Sequence, residues 1–209
     1  MGDSQGEVAL VTGAGSGVGR GIALALAAEG MTVAVVGRTG PKLTTTCELI
    51  RARGGRAEPF QLDVADTAAV PELVEGVADS FGGIDVLVNN AYAGAYGPLL
   101  SMSDEEFQRG FRTAPFAAFA FMKACHPYLA DRRGSIINVV SSAMVRWDTS
   151  TYGAYAAAKQ ALRSLTRTAA SEWGRDGIRV NAIAPHALSP GLQGWTAARP
   201  PSAEPSTSR

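Results

Sequence analysis

A chain of 209 residues, with 46% apolar and 18% charged side chains, has the composition of one globular domain large enough to bury a core. Basic and acidic residues balance at 19 each, so no excess charge draws the protein to nucleic acid or to an anionic membrane. Two cysteines, Cys47 and Cys125, and two histidines, His126 and His186, fall short of a structural zinc set, and the apolar runs are too short to span a bilayer. The first residues lack a basic and then apolar leader, and a cytoplasmic protein with two unpaired thiols is expected.

Short β-branched runs alternate with longer helical patterns from the start, which predicts βαβ units and a parallel sheet. Val8–Val11 reads as a strand, residues 18–29 as a helix, Thr32–Val36 as a strand and residues 41–53 as a helix opened by Pro41. Strand 58–62, helix 68–81 and strand 85–88 follow. Residues 104–129 read as one long helix, capped by Ser103 and kinked at Pro115. Strand 135–140, a second long helix at 152–173 and strand 178–183 complete the pattern. All six strands read as near-continuous apolar runs, as expected when helices cover both faces of a sheet. The fold class is therefore α/β, a Rossmann-type doubly wound parallel sheet in one domain over residues 1–195. Residues 196–209, rich in Pro, Ser and Ala, are expected to be a disordered tail.

The first turn reads Thr12-Gly13-Ala14-Gly15-Ser16-Gly17-Val18-Gly19. Glycines there allow a tight turn and close approach of the backbone to a pyrophosphate, which then rests on the positive end of the next helix. A flexible turn would share the composition, but this one follows a strand and opens a helix, the context that a dinucleotide site requires. After the second strand stand Gly37-Arg38-Thr39, with no carboxylate to accept a ribose hydroxyl. Arg38 can fork onto a 2′-phosphate, which favours NADP(H) over NAD; an ordinary solvated Arg is the alternative.

Tyr155-Ala-Ala-Ala-Lys159 places a phenol and an ammonium one helical turn apart on one face. A nearby ammonium stabilises the phenolate and is expected to lower the Tyr pKa, which would fit it to give or take a proton at a carbonyl or alcohol oxygen. Ser142 ends a strand upstream and could hydrogen-bond the same oxygen; its neighbour Ser141 and Tyr152 have no matching partner in the pattern.

Together, the 12–19 turn, Asp63-Val64, Asn89-Asn90-Ala91, Ser142 and Tyr155-x-x-x-Lys159 resemble the short-chain dehydrogenase/reductase family over about residues 6–190. The resemblance implies strand order 3-2-1-4-5-6 and hydride transfer between a nicotinamide and a small carbonyl or alcohol substrate. It also implies Tyr155 as general acid/base, Lys159 as the group that holds the ribose and tunes Tyr155, and Ser142 as the residue that orients the substrate oxygen. The cofactor positions it implies are Gly13, Ser16, Gly17, Val18, Gly19, Arg38, Asp63, Val64, Asn90, Ala91 and Pro185, with Tyr155 and Lys159. A homodimer through the two long helices is implied as well.

The chain departs from the family pattern in four places. The Asn of the first long helix that supports a proton relay falls near Thr113-Ala114, where Thr113 or a water would have to substitute. Tyr92 replaces a Gly, and His186 replaces the Gly that follows Pro185. Family members also continue beyond this chain's last residues, so a seventh strand is expected to be missing, which would leave the sixth as an edge. These departures keep a second reading open, a dinucleotide-binding sensor or scaffold without catalysis. A serine hydrolase is a distant third reading, since no G-x-S-x-G turn surrounds any Ser and neither His has an evident acid partner in the sequence.

Overall fold

A computed structural model of the chain describes residues 6–145 and 151–185. Six parallel strands lie in the order β3-β2-β1-β4-β5-β6. They are β1 (Val8–Thr12), β2 (Thr32–Gly37), β3 (Arg56–Gln61), β4 (Val86–Asn89), β5 (Ser135–Val139) and β6 (Arg179–Ile183). The strand order reverses between β1 and β4, the crevice in which doubly wound sheets bind ligands. The expected Rossmann-type fold and strand order are thus present, and among the described residues no seventh strand follows β6. The predicted tail, 196–209, lies outside the described residues, as does His186.

Side chains alternate along each strand, so the sheet divides the core in two. Val8, Leu10, Val36, Leu87 and Ile136 face α3 (Val70–Phe81) and α5 (Ala117–Arg132), where Val74, Val77, Phe121 and Leu129 are buried. Val11, Val33, Val35, Val88 and Val139 face α1 (Gly17–Ala28) and α2 (Gly40–Arg51), packing on Ala23, Ala27, Leu43 and Ile50. Gly19, Ala23 and Ala27 are the buried face of α1, and their four-residue spacing puts the smallest side chains against the sheet.

Two expectations need correction. β6 is no buried apolar run, with Arg179, Asn181, Ala182 and Ile183 exposed, and neither is β3: Arg56, Glu58, Pro59 and Gln61 are exposed. It pairs with β2 alone, and an edge strand needs only one covered face and tolerates the missing N–H of Pro59. The long helix over 104–129 is also not continuous. It is α4 (Asp104–Phe111), a π-helical turn Arg112–Phe116, and then α5. Pro115 sits inside that turn, and its lack of an N–H removes a hydrogen bond that a regular helix would need. The start of α4 is as expected, a capping box in which Ser103 Oγ accepts from Glu106 N at 3.2 Å and Ser103 N donates to Glu106 Oε2 at 2.9 Å. The second long helix is α6 (Gly153–Trp173).

Candidate active site

The turn after β1 is held open by its own backbone. Gly13 has φ +65° and Gly17 φ +55°, the left-handed region in which a side chain is strained. Gly19 is required by proximity: a Cβ there would run into the Gly13 carbonyl oxygen and Asn90 Nδ2. Ser16 precedes α1 in extended conformation, and its side chain makes no capping bond, so the first turn of the helix presents its N–H groups unfilled. These groups and the missing side chains form a cradle that a Cβ would fill, which fits a pyrophosphate.

The cradle is braced from two sides. Thr46 of α2 donates from Oγ1 to the Ala14 carbonyl at 3.0 Å, and Arg20 donates from its guanidinium to the Gly15 carbonyl at 2.5 Å and to Thr46 Oγ1 at 3.1 Å. On the β4 side, Thr12 Oγ1 donates to the Val88 carbonyl at 3.2 Å and accepts from Asn90 N at 3.0 Å and Ala91 N at 3.2 Å. Asn90 Nδ2 returns to the Thr12 carbonyl at 3.0 Å. Asn90 and Ala91 therefore stand beside Gly13, and Asn90 Nδ2 also lies against Gly19 in the first turn of α1.

Arg38 is exposed just beyond the end of β2, and its backbone carbonyl accepts from Gln61 Nε2 at 3.1 Å. Among the described residues no carboxylate pairs with its guanidinium, which leaves the fork available to a phosphate. Asp63 and Val64 follow β3 at the same end of the sheet. Asp63 Oδ1 accepts from Ala65 N at 3.1 Å, and Val64 is buried. Pro185, two residues beyond β6, is exposed.

At the other side of the crevice α6 packs on β5 and β6. A buried network fixes it: Asn89 Nδ2 donates to Asn138 Oδ1 at 2.8 Å, and Asn138 Nδ2 donates to Thr166 Oγ1 at 2.9 Å. Asn89 and Asn138 are directly paired residues of β4 and β5, so the network joins two strands to the helix that carries Tyr155 and Lys159. Lys159 is 2% exposed and donates from Nζ to the Val139 carbonyl at 2.7 Å. Burial drives its pKa from 10.5 down to about 8, because a dry environment disfavours the ammonium.

Tyr155 is hydrogen-bonded to Ser141, the residue immediately before Ser142. Ser142 itself opens a short 3-10 turn, Ser142–Val145, and is half-buried. Burial lifts the Tyr155 phenol above its ordinary value and the Ser141 hydrogen bond draws it part of the way back. The expected net lowering by the ammonium is therefore not what the site shows: desolvation dominates, and the group that opposes it is Ser141.

Of the tyrosines around this pair, Tyr92 departs from the family pattern and Tyr152 lies between the serines and Tyr155, whereas nothing in the sequence marks Tyr96. Tyr92 meets Tyr155 edge-on at 4.8 Å between ring centroids, and Tyr96 lies 5.5 Å from Tyr155 and 5.7 Å from Tyr152. Burial pushes the phenols of Tyr92 and Tyr96 well above their usual range. Thr113 is buried in the π-helical turn, where Oγ1 donates to the Arg109 carbonyl at 2.8 Å and accepts from Ala93 N at 3.0 Å. It anchors the loop after β4 to α4. Arg146 and Trp147, between the serines and Tyr152, lie outside the described residues.

The family model for short chain dehydrogenases matches residues 7–198. The 12alpha-hydroxysteroid dehydrogenase of a Clostridium species is 39% identical over 208 residues, which cover 96% of this chain and 80% of the relative. A short-chain dehydrogenase of Burkholderia cenocepacia, solved in complex with NADP, superposes with a TM-score of 0.85 at 33% identity, covering 90% of this chain and 78% of that one. A 7-alpha-hydroxysteroid dehydrogenase solved with NADH and 7-oxo glycochenodeoxycholic acid superposes at 0.86 with 29% identity, covering 94% and 76%. Strand order, glycine cradle and the Tyr155–Lys159 pair agree with that likeness, and the chain belongs to the short-chain dehydrogenase/reductase family of oxidoreductases.

Proposed function

We propose that the protein interconverts an alcohol and a carbonyl compound with NADP(H), Tyr155 serving as the general acid/base. The observation that carries this reading is the Tyr155–Lys159 pair on one face of α6, with the lysine buried beside the phenol and a serine hydrogen-bonded to it. Bound NADP(H) would supply or accept the hydride. The chain's own residues handle the proton: Tyr155 donates from its hydroxyl to a carbonyl oxygen in reduction and takes the proton back in oxidation. Lys159 stabilises the phenolate that donation leaves, and Ser141 does so by hydrogen bond. Ser142, the half-buried residue that follows Ser141, is the group proposed to orient the substrate oxygen.

Gly13, Ser16, Gly17, Val18 and Gly19 would hold the pyrophosphate, Asp63 and Val64 the adenine side, and Asn90, Ala91 and Pro185 the nicotinamide side. Arg38 favours NADP(H) over NAD because its guanidinium has no carboxylate partner among the described residues and no acidic residue stands in its place. A homodimer through the long helices is supported by Phe116 and Phe119, 57% and 48% exposed on the α4–α5 side. The balanced charge and the absence of a long apolar helix among the described residues suit a cytoplasmic protein acting on a small molecule.

A second reading, a nucleotide-binding sensor or scaffold without turnover, is favoured by one observation. Tyr92 and Tyr96 pack directly on Tyr155 and narrow the approach to it. Fluorescence titration with NADPH and NADH, on the wild type and on Arg38→Ala and Tyr155→Phe, separates the readings. Catalysis requires NADPH-linked reduction of a carbonyl panel that Tyr155→Phe abolishes while NADPH still binds. Turnover surviving in Tyr155→Phe overturns the acid/base assignment, and NADPH binding without turnover in any protein leaves the sensor. Binding of NADH as tight as NADPH, unaltered in Arg38→Ala, overturns the cofactor preference.

A further inference from the structure

Tyr92 leaves β4 just after Asn89-Asn90-Ala91 and turns its side chain beneath α6. Its ring does three things at once. Its edge-to-face contact with Tyr155 has an interplanar angle of 73°. Its π face lies 5.6 Å from Lys159 Nζ, which is also 5.8 Å from the Tyr155 ring. Its hydroxyl is buried, has no hydrogen-bond partner among the described residues, and lodges against Gly94 and Gly110. A Cβ at Gly94 would collide with that hydroxyl, and one at Gly110 would stand 3.2 Å from it. The two glycines make room for Tyr92, so the ring position is built into both the 93–98 loop and α4.

The groups facing the Lys159 ammonium are few. From the loop after β4 comes the Tyr92 ring, from α6 itself the Tyr155 ring, and from β5 the Val139 carbonyl. Among the described residues no carboxylate pairs with it. A buried ammonium with one hydrogen bond is costly unless something else answers its charge. An aromatic face does so through its quadrupole.

We infer that Tyr92 is a positioning residue that acts through Lys159 and Tyr155, its ring keeping the lysine charged in a dry site and the phenol fixed in orientation. This rests on Tyr155 and Lys159 being the reacting pair. The hydroxyl, which has no hydrogen-bond partner among the described residues, has no part in it, so phenylalanine should serve as well as tyrosine.

The chain contains three lysines, Lys42, Lys123 and Lys159, and the first two are exposed. Carbon-13 labelling at lysine Cε therefore gives three NMR signals. Lys159→Met identifies the buried one, and the exposed pair act as internal references. In Tyr92→Phe the Lys159 midpoint should match the wild type. In Tyr92→Leu it should fall by about 0.5 to 1.5 pH units, the free energy of a desolvated cation–π contact. A folded Tyr92→Leu protein with the midpoint unchanged or raised overturns the inference.

Should the leucine variant fail to fold, Gly110→Ala decides, since it adds a helix-favouring residue that presses on the Tyr92 hydroxyl. A lowered midpoint in Gly110→Ala that returns in Gly110→Ala/Tyr92→Phe supports the inference. No shift in the single variant, or a shift that persists in the double, overturns it. None of these readings needs turnover, so their failure is distinct from failure of the Tyr155→Phe experiment.

Discussion

Replacing Lys159 with methionine removes a buried ammonium and keeps a side chain of similar length. Lys159 is the only buried lysine or arginine among the described residues. Burial lowers its pKa from 10.5 to about 8. A base whose folded pKa lies below its unfolded value binds fewer protons folded than unfolded between the two, so stability rises with pH across that window. Below about pH 8 the lysine is charged in both states and the whole cost of burying it is present. At about 1.4 kcal/mol per pH unit, that cost is about 3 kcal/mol at pH 7 and under about 1 kcal/mol at pH 10.

Methionine removes this cost but orphans the Val139 carbonyl, which now accepts from Nζ at 2.7 Å. An unsatisfied buried carbonyl costs about 1–3 kcal/mol, independent of pH, so at neutral pH the two effects roughly offset. The informative quantity is therefore the stability difference between the two proteins, from urea unfolding at pH 7 and at pH 10. The raised phenols of Tyr92, Tyr96 and Tyr155 are present in both and largely cancel. The wild type should gain on Lys159→Met by about 2 kcal/mol between the two pH values. A difference that does not change with pH would show that the ammonium is solvated, and the dry site inferred above would fall with it.

Two further outcomes follow from the same geometry. Gly19→Ala drives a Cβ into the Gly13 carbonyl and Asn90 Nδ2, both held by backbone and by Thr12, so NADPH affinity should fall at least about tenfold by fluorescence titration; unchanged affinity would mean the nucleotide does not use this cradle. Ser141→Ala removes the hydrogen bond that favours the phenolate, so Tyr155 should titrate at higher pH, read as phenolate absorbance against a Tyr155→Phe blank. Ser142→Ala should leave that titration in place, and the reverse pattern would exchange the roles of the two serines.

Much of this protein was legible from local pattern. The valine-rich segments of β1, β2 and β4 and the apolar run of β5 name buried parallel strands, because a strand covered on both faces has no polar side to show. The glycines at 13, 17 and 19 announce a backbone that must turn left-handed and admit a close neighbour. Tyr155 and Lys159 share a face because helix geometry alone brings residues four apart together. Each of these follows from the covalent order of a few residues.

What the local pattern left open depended on contacts between distant segments. The polar face of β3 makes sense only once the sheet order puts it at an edge. Ser141 and Ser142 are adjacent and chemically identical, and which of them reaches Tyr155 depends on how the chain leaves β5 toward the 3-10 turn. Tyr92 stands far along the chain from Tyr155, and they meet because β4 and β5 are neighbours in register, Asn89 opposite Asn138, with α6 tied across them through Thr166. The charge state of Lys159 is of the same kind: its sequence neighbours are mostly alanines, and only the packed sheet, the Val139 carbonyl and two tyrosine rings make its surroundings dry. Secondary structure and residue chemistry are properties of short stretches, whereas burial, and with it the acidity of a site, belongs to the surfaces that the folded chain brings together.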